Sequence, residues 1–170
     1  MSEQQWLLEV VTQELGEVQG EDWGDWLHEL FRTQGAVGGS ELLRLASAAQ
    51  RAAAEGACRR VMADIANTAE QLITIAPEAY DYSIRIACDG EFSNHDSGGF
   101  FSIGSEEAAC EVATITQDIL VERWWRVWPT CTGHDSGMHV ELIAVEAAWL
   151  CRPGRHYTRI GKLASGTDCP

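Results

Sequence analysis

Trp128-Pro129-Thr130-Cys131-Thr132-Gly133-His134 and Trp149-Leu150-Cys151-Arg152-Pro153-Gly154-Arg155-His156 are the two stretches whose reading decides the C-terminal fold. Each sets one Cys and one His inside a short, turn-rich loop, and a run of strand-forming residues separates them. Thr132-Gly133 and Pro153-Gly154 are residues that tight turns favour. Two sulfurs and two imidazoles form a ligand set that zinc takes tetrahedrally. A hairpin that brings the loops together therefore predicts a structural zinc on Cys131, His134, Cys151 and His156, with His139 as an alternative ligand. A Cys131–Cys151 disulfide and plain reduced thiols stay open as other readings. A catalytic metal would need an open coordination position, and four protein ligands leave none.

Outward from these loops, the chain divides into a helical and a mixed part. Val112, Ile115, Ile119 and Leu120 give residues 106–127 an apolar helical face, with Ser105 as N-cap, Trp124, Trp125 and Trp128 completing the face, and Pro129 ending the helix. Strands are expected at about 140–146, 147–151 and 157–163. Upstream, Tyr82, Ile84, Ile86 and Cys88 alternate with polar or small residues, the period of a half-buried strand. Phe100, Phe101 and Ile103 are its expected antiparallel neighbour.

Residues 1–76 read as three or four helices. Trp6, Leu7, Val10, Val11, Leu15 and Val18 share one helical side; Trp23, Trp26, Leu27, Leu30 and Phe31 make a second stripe. Gly35 to Gly39 is a joint, and Ser40 an N-cap for a long Ala- and Leu-rich helix with a break near Gly56 and an end at Pro77. Its stripes are Leu42, Leu45, Ala46, Ala49 and Ala53, then Val61, Met62, Ile65, Ala69, Leu72 and Ile73. The expected fold class is α+β: a helical section (1–76), then a small antiparallel sheet with one covering helix and a C-terminal zinc-knuckle-like hairpin (77–170), together one compact unit.

Trp128, Pro129, Cys131 and His134, then Trp149 and Cys151, then Gly161 and Leu163 form a pattern that resembles small uncharacterised actinobacterial proteins with a zinc-ribbon-like C-terminal segment. The resemblance covers residues 120–163, implies a bound zinc and supplies no activity. Thr132 stands where that pattern has Pro.

The net charge of −14 disfavours docking on phosphates or anionic lipid, which call for Lys and Arg. Only the C-terminal part is locally basic: Arg152, Arg155, Arg159 and Lys162 follow one another with no acid among them. No apolar run reaches the roughly 20 residues of a membrane helix. The polar, acidic start, Met1-Ser2-Glu3-Gln4-Gln5, is unlike a secretory signal, which predicts a cytoplasmic protein with reduced cysteines. Eleven Arg against one Lys, with abundant Ala and Gly, fits a high-GC bacterial source.

Neither a phosphate-binding Gly-rich loop nor a nucleophile elbow is present. His95-Asp96-Ser97-Gly98 and His134-Asp135-Ser136-Gly137 repeat one tetrapeptide whose flanks differ, which reads as two polar turns. Asp89, Glu91, His95 and Asp96 read as a solvated loop tip. The leading expectation is a non-enzymatic acidic interaction protein (adaptor, chaperone or inhibitor) with a structural zinc, whose partner is a protein with a basic surface. One alternative is a nucleic-acid-associated regulator acting through Arg152, Arg155, Arg159 and Lys162, or a DNA mimic. Another is a zinc-dependent hydrolase with Asp135 or Glu141 as general base.

Overall fold

The computed structural model describes residues 1–16, 21–68, 73–80, 83–94 and 99–164. Val18, Ala69, Leu72, Tyr82, the first His-Asp-Ser-Gly run (95–98) and Cys169 lie outside the described residues. The fold is α+β, as the periodicities predict. In chain order come α1 (Glu3–Trp6), a π-helical turn (Leu7–Val11), α2 (Thr12–Leu15), α3 (Glu21–Gln34), α4 (Gly39–Thr68), β1 (Ile75–Tyr80), β2 (Ser83–Cys88) and α5 (Ser105–Trp124). Five short strands follow: β3 (Thr130–Cys131), β4 (Ser136–Gly137), β5 (His139–Ile143), β6 (Glu146–Cys151) and β7 (His156–Arg159). No described helix is long and apolar enough to cross a membrane.

Two apolar clusters organise these elements. The smaller joins Trp6, Val11, Leu27, Leu30 and Leu42, the stripe positions of the first helices. The indole N–H of Trp6 donates to Val37 O (2.9 Å), so the Gly-rich joint is pinned by the side chain it covers. The larger cluster gathers Ala54, Ala57, Cys58, Val61 and Ile65 of α4 with Val112, Ala113, Ile119 and Leu120 of α5 and the inward residues of the strands. Helix α4 feeds both clusters: Leu42 enters one, and Ala54 to Ile65 the other. Small residues along α4 and α5 (Ala54, Ala57, Ala109, Ala113) are fully or nearly fully buried where the two helices meet.

Several local expectations are corrected. Helix α4 runs unbroken through Gly56, because the residues around it, Ala54, Ala57 and Cys58, are all buried. Its roughly 1 kcal/mol helix penalty is small beside such burial. Pro77 does not close a helix. It stands in β1, opposite Ile86 of β2, in a two-stranded sheet where a proline can leave its missing N–H on an open edge. The antiparallel neighbour of β2 is therefore Ile75–Tyr80 and not Phe100–Ile103; Phe100 makes one backbone bond, to Ile84 O.

Ser40 lies inside α4, which starts at Gly39. Ser105 is the first residue of α5, and Gly104 is its N-cap. No side chain caps α5; carboxylates hold the loop that leads into it instead, Asp22 of α3 accepting from the N–H groups of Ile103 and Gly104, and Glu111 of α5 from those of Phe101 and Ser102. Helix α5 ends at Trp124, with Trp125 in the left-handed region (φ 52°), where its N–H returns to Leu120 O and Val121 O. A side chain larger than glycine in that conformation costs on the order of 1 kcal/mol. Trp124 and Trp125 are exposed, Trp125 at 90%, whereas Trp128 is buried.

The C-terminal sheet has the order β5-β6-β7, all antiparallel. Ala144 and Val145, at φ 49° and 62°, form the two-residue turn between β5 and β6. This sheet docks on α4 through polar hooks at Arg60, Asp64, Asn67 and Thr68, positions that share one helical face. Asp64 is fully buried and accepts the Trp149 indole N–H (2.7 Å) and the backbone N–H groups of Gly161 (2.7 Å) and Leu163 (2.8 Å). Burial pushes its carboxyl upward, and these donors together with Arg60 pull against that. Arg60 donates to Ile160 O, Asn67 to Leu163 O, and Thr68 accepts from the Trp128 indole. Trp128 meets Trp149 edge-on, with centroids 5.2 Å apart.

A second carboxylate, Glu106 at the start of α5, accepts from Arg60 (2.9 and 3.0 Å), Arg159 (3.1 Å) and Ala147 N (2.8 Å). Burial alone would raise its pKa, but the Arg60, Ala147 and Arg159 donors outweigh it and hold the group at about 2.

Two outcomes are expected. Asp64→Ala strands three buried donors and lowers unfolding stability by about 3 kcal/mol or more, read by urea denaturation. For Glu106 the folded pKa lies below the ordinary value of 4.5, so its contribution is present above pH 4.5 and is lost as pH falls toward about 2. The difference in stability between the natural chain and Glu106→Gln should shrink across that window; a difference independent of pH would show that the Arg60 and Arg159 pairs do not hold the carboxylate.

Candidate metal centre

Each ligand position follows from local chain geometry. Cys131 ends β3, and the chain turns back through Thr132 to Asp135 into β4, where Cys131 pairs with Ser136. Asp135, at φ 44°, completes that turn and leaves His134 on its outer side. Cys151 ends β6 and is the register partner of His156, the first residue of β7. The tight turn 152–155, with Arg155 at φ 52°, thus sets Cys151 and His156 side by side.

The fold then brings the two halves together. Cys131, His134, Cys151 and His156 lie so that their ligand atoms are all within 4.8 Å of one another, and they could hold a metal ion. Cys131 Sγ is 3.3 Å from His134 Nδ1 and 3.5 Å from His156 Nε2, and Cys151 Sγ is 3.6 Å from His134 Nδ1. A tetrahedral ion with metal–sulfur bonds of about 2.3 Å and metal–nitrogen bonds of about 2.0–2.1 Å separates its S and N ligands by roughly 3.6 Å. The three sulfur–nitrogen spacings are close to that separation, and the four atoms as a group spread to no more than 4.8 Å. Both sulfurs are buried, His156 is partly buried and His134 is exposed, so the centre has a dry side toward the core and a wet rim.

The surroundings hold this geometry. Gly154 faces both rings: a Cβ there would collide with His134 Cε1 and come within 2.6 Å of His156 Cδ2. Ser136 Oγ sits 3.9 Å from Cys151 Sγ. Gln117 of α5 donates to Trp128 O (3.0 Å) and Met138 O (2.8 Å), bracing the two ends of the β3–β4 loop against the helix. Cys151 is a free thiol, so it forms no disulfide with Cys131. Cys131 is disulfide-bonded in this structure, and ligation by its thiolate requires that bond to be reduced.

The remaining sequence candidates fall elsewhere. His139 is exposed at the start of β5, outside the group of four. The basic run is interleaved with acids in space: Arg152 lies 3.5 Å from Glu141, and Arg159 lies within 3.2 Å of both Glu106 and Glu146. Glu141 thereby faces Arg152. Asp89 accepts from Thr74 N and Glu91 meets Arg123, so both have a structural task in their loop. Burial pushes the thiols of Cys58 and Cys88 up to about 12, which fits inert core cysteines. In the sequence Gly154 reads only as a turn residue, Ser136 only as part of a repeated polar turn, and Gln117 carries no signal. The adjacency of Gly154 to a ligand loop was the one available signal.

No family model matches the sequence, and neither a curated protein nor a solved structure matches it. What can be said of function rests on the site itself.

Gly154→Ala should weaken metal binding by about 10–100-fold in a chelator competition, the range in which supporting residues act. Unchanged affinity would mean that the two imidazoles do not share the ion.

Proposed function

We propose that the chain is a non-enzymatic protein-interaction module, of the adaptor, chaperone or inhibitor kind, whose C-terminal hairpins are fastened by a structural zinc on Cys131, His134, Cys151 and His156. One observation carries this reading: two sulfurs and two ring nitrogens converge within 4.8 Å of one another, with three sulfur–nitrogen spacings of 3.3–3.6 Å, close to those of a tetrahedral sphere. Paired thiolates and imidazoles favour zinc over the oxygen-preferring cations. The zinc-ribbon-like resemblance of residues 120–163 points the same way.

A closed sphere of four protein ligands also argues for a structural ion rather than a hydrolytic one, which needs a place for water. Glu141 faces Arg152, which does not suit it to general-base duty. The nucleic-acid reading loses support because Arg152 and Arg159 are matched by Glu141, Glu106 and Glu146. The strong negative charge favours a protein partner with a basic surface. The helical section 1–76 and the section 77–170 are taken as one unit, on the support that α4 contributes to both apolar clusters.

Protein purified under reducing conditions is expected to carry one zinc per chain by elemental analysis, and to lose it in both Cys131→Ser and Cys151→Ser. Chelation should lower the melting temperature, since metal binding free energy is folding free energy at such sites. Cobalt(II) exchanged into the site should give the intense visible bands of a tetrahedral thiolate complex. Absence of metal, or zinc retained by both variants, defeats the proposal; a five- or six-coordinate cobalt spectrum would favour the hydrolase.

A further inference from the structure

We infer that the metal centre is redox-linked: Cys131 serves either as a zinc ligand or as one half of a disulfide with Cys169, so that oxidation by a peroxide releases the ion and reduction restores the site. The inference rests on the structural-zinc reading and adds the regulation of that same site.

Two observations meet at one sulfur. Cys131 Sγ belongs to the group of four that could hold a metal, 3.3 Å from His134 Nδ1 and 3.5 Å from His156 Nε2. The same sulfur is disulfide-bonded in this structure. The two states exclude each other, because the metal ligand is a thiolate and a disulfide sulfur has lost that charge. Oxidation leaves the ion with Cys151 and two imidazoles, one of them on the exposed His134. One negative ligand then faces a doubly charged ion in place of two, and a closed sphere loses one of its four positions. The sulfur keeps its ligand spacing in the disulfide state, so reduction delivers a thiolate with both rings already beside it.

The partner follows from the cysteines themselves. Of the six in the sequence, Cys58, Cys88, Cys110 and Cys151 are free, which leaves Cys169 for Cys131. Cys169 lies outside the described residues, so its role rests on that count. Burial pushes the thiols of Cys58 and Cys88 up to about 12 and raises that of Cys110, which makes all three poor nucleophiles. Cys151 is free although its sulfur lies within 4.8 Å of that of Cys131. One ligand sulfur is therefore oxidised while the other is left as a thiol.

Hydrogen peroxide balances the step. A thiolate of the pair takes one peroxide oxygen, the O–O bond breaks and hydroxide leaves, giving a sulfenic acid. The thiol of the other cysteine attacks that sulfur, the S–S bond forms, and the oxygen leaves as water with the thiol proton. Two electrons pass from the two sulfurs to peroxide, and the zinc–sulfur bond of Cys131 breaks. A dithiol reductant returns two electrons and is itself oxidised to a disulfide.

The test loads the full chain with zinc under a reductant, removes the reductant without admitting oxygen, and titrates with hydrogen peroxide. Freed zinc is read with a colorimetric chelator, and disulfides by mass mapping of a non-reducing digest. About one zinc per chain should be released as the Cys131–Cys169 cross-linked peptide appears, and dithiothreitol with added zinc should restore the loaded protein. Cys169→Ser should load zinc as the natural chain does and need about tenfold or more peroxide to lose it. Zinc kept by a chain whose Cys131 is cross-linked, or equal peroxide sensitivity in Cys169→Ser, overturns the inference and leaves the structural-zinc reading standing. A map that joins Cys131 to Cys151 overturns it too. Failure to load zinc in the first step defeats the structural-zinc reading and this inference with it.

Discussion

The buried carboxylate of Asp64 is the contact on which the C-terminal half depends. A charge or an unsatisfied acceptor in that position would be costly, and it is tolerable because three N–H donors converge on it from Trp149, Gly161 and Leu163. None of these donors has another described partner able to replace it at that depth, so the arrangement is geometrically demanding: the sheet docks in one register on α4 or leaves polar groups stranded. Arg60 and Thr68, one turn to either side, extend the same logic with their own hydrogen bonds to Ile160 and Trp128. Apolar contact supplies the bulk of the driving force here, and the polar hooks select the one way of satisfying it.

That docking sets the geometry of the Cys131, His134, Cys151 and His156 cluster. Ala147, Trp149 and Cys151 alternate along β6 and all face inward. Ala147 N is held by Glu106, the Trp149 indole by Asp64, and Cys151 is the next residue on the same side. On the other half, Trp128 is held by Thr68 and by its edge contact with Trp149, and Cys131 follows three residues later. Each sulfur therefore sits a short, stiff distance from a residue already fixed on α4 or α5. The imidazoles come from turns, which have the freedom to close the sphere. Rigid sulfurs and adjustable rings explain why the two cysteines are buried while His134 is exposed.

The parts of this arrangement that sequence reveals are the local ones. Cys131 with His134, and Cys151 with His156, each lie within one turn, so spacing alone marks them. The helical stripes of Trp6 to Leu15 and Trp23 to Phe31 were equally legible, because amphipathic periodicity needs no knowledge of the partner surface. Long-range roles were not. Asp64 looks like any acid on a helix, since its partners lie 85 to 99 residues away. Strand β1 was hidden by Pro77, which is a breaker unless an open sheet edge accepts it. Trp124 and Trp125 read as the end of the apolar face of α5 because they continue an apolar run; periodicity does not say where along α5 the neighbours end.

The ligand cluster and a groove lined by α5 and by Gly137, Met138 and His139 meet at β4. Gly137 lines the groove and, across the pair, stands opposite Thr130; its neighbour Ser136 pairs with Cys131 and reaches Cys151 Sγ. A Cβ on Gly137 would run into Val127 Cγ1, so the groove wall and the exposed segment after α5 are already in contact across this glycine. With only two residues in each strand, the β3–β4 ladder has little intrinsic stability. Its shape is fixed at one end by the ligand cluster and at the other by Gln117, which holds Trp128 O and Met138 O together. An ion held by Cys131 and Cys151 would brace this short ladder at the end where it has the fewest backbone bonds. A staple at that point would do more than hold a hairpin closed: it would fix the β3–β4 turn relative to α5, since Gln117 already ties both ends of the loop to that helix.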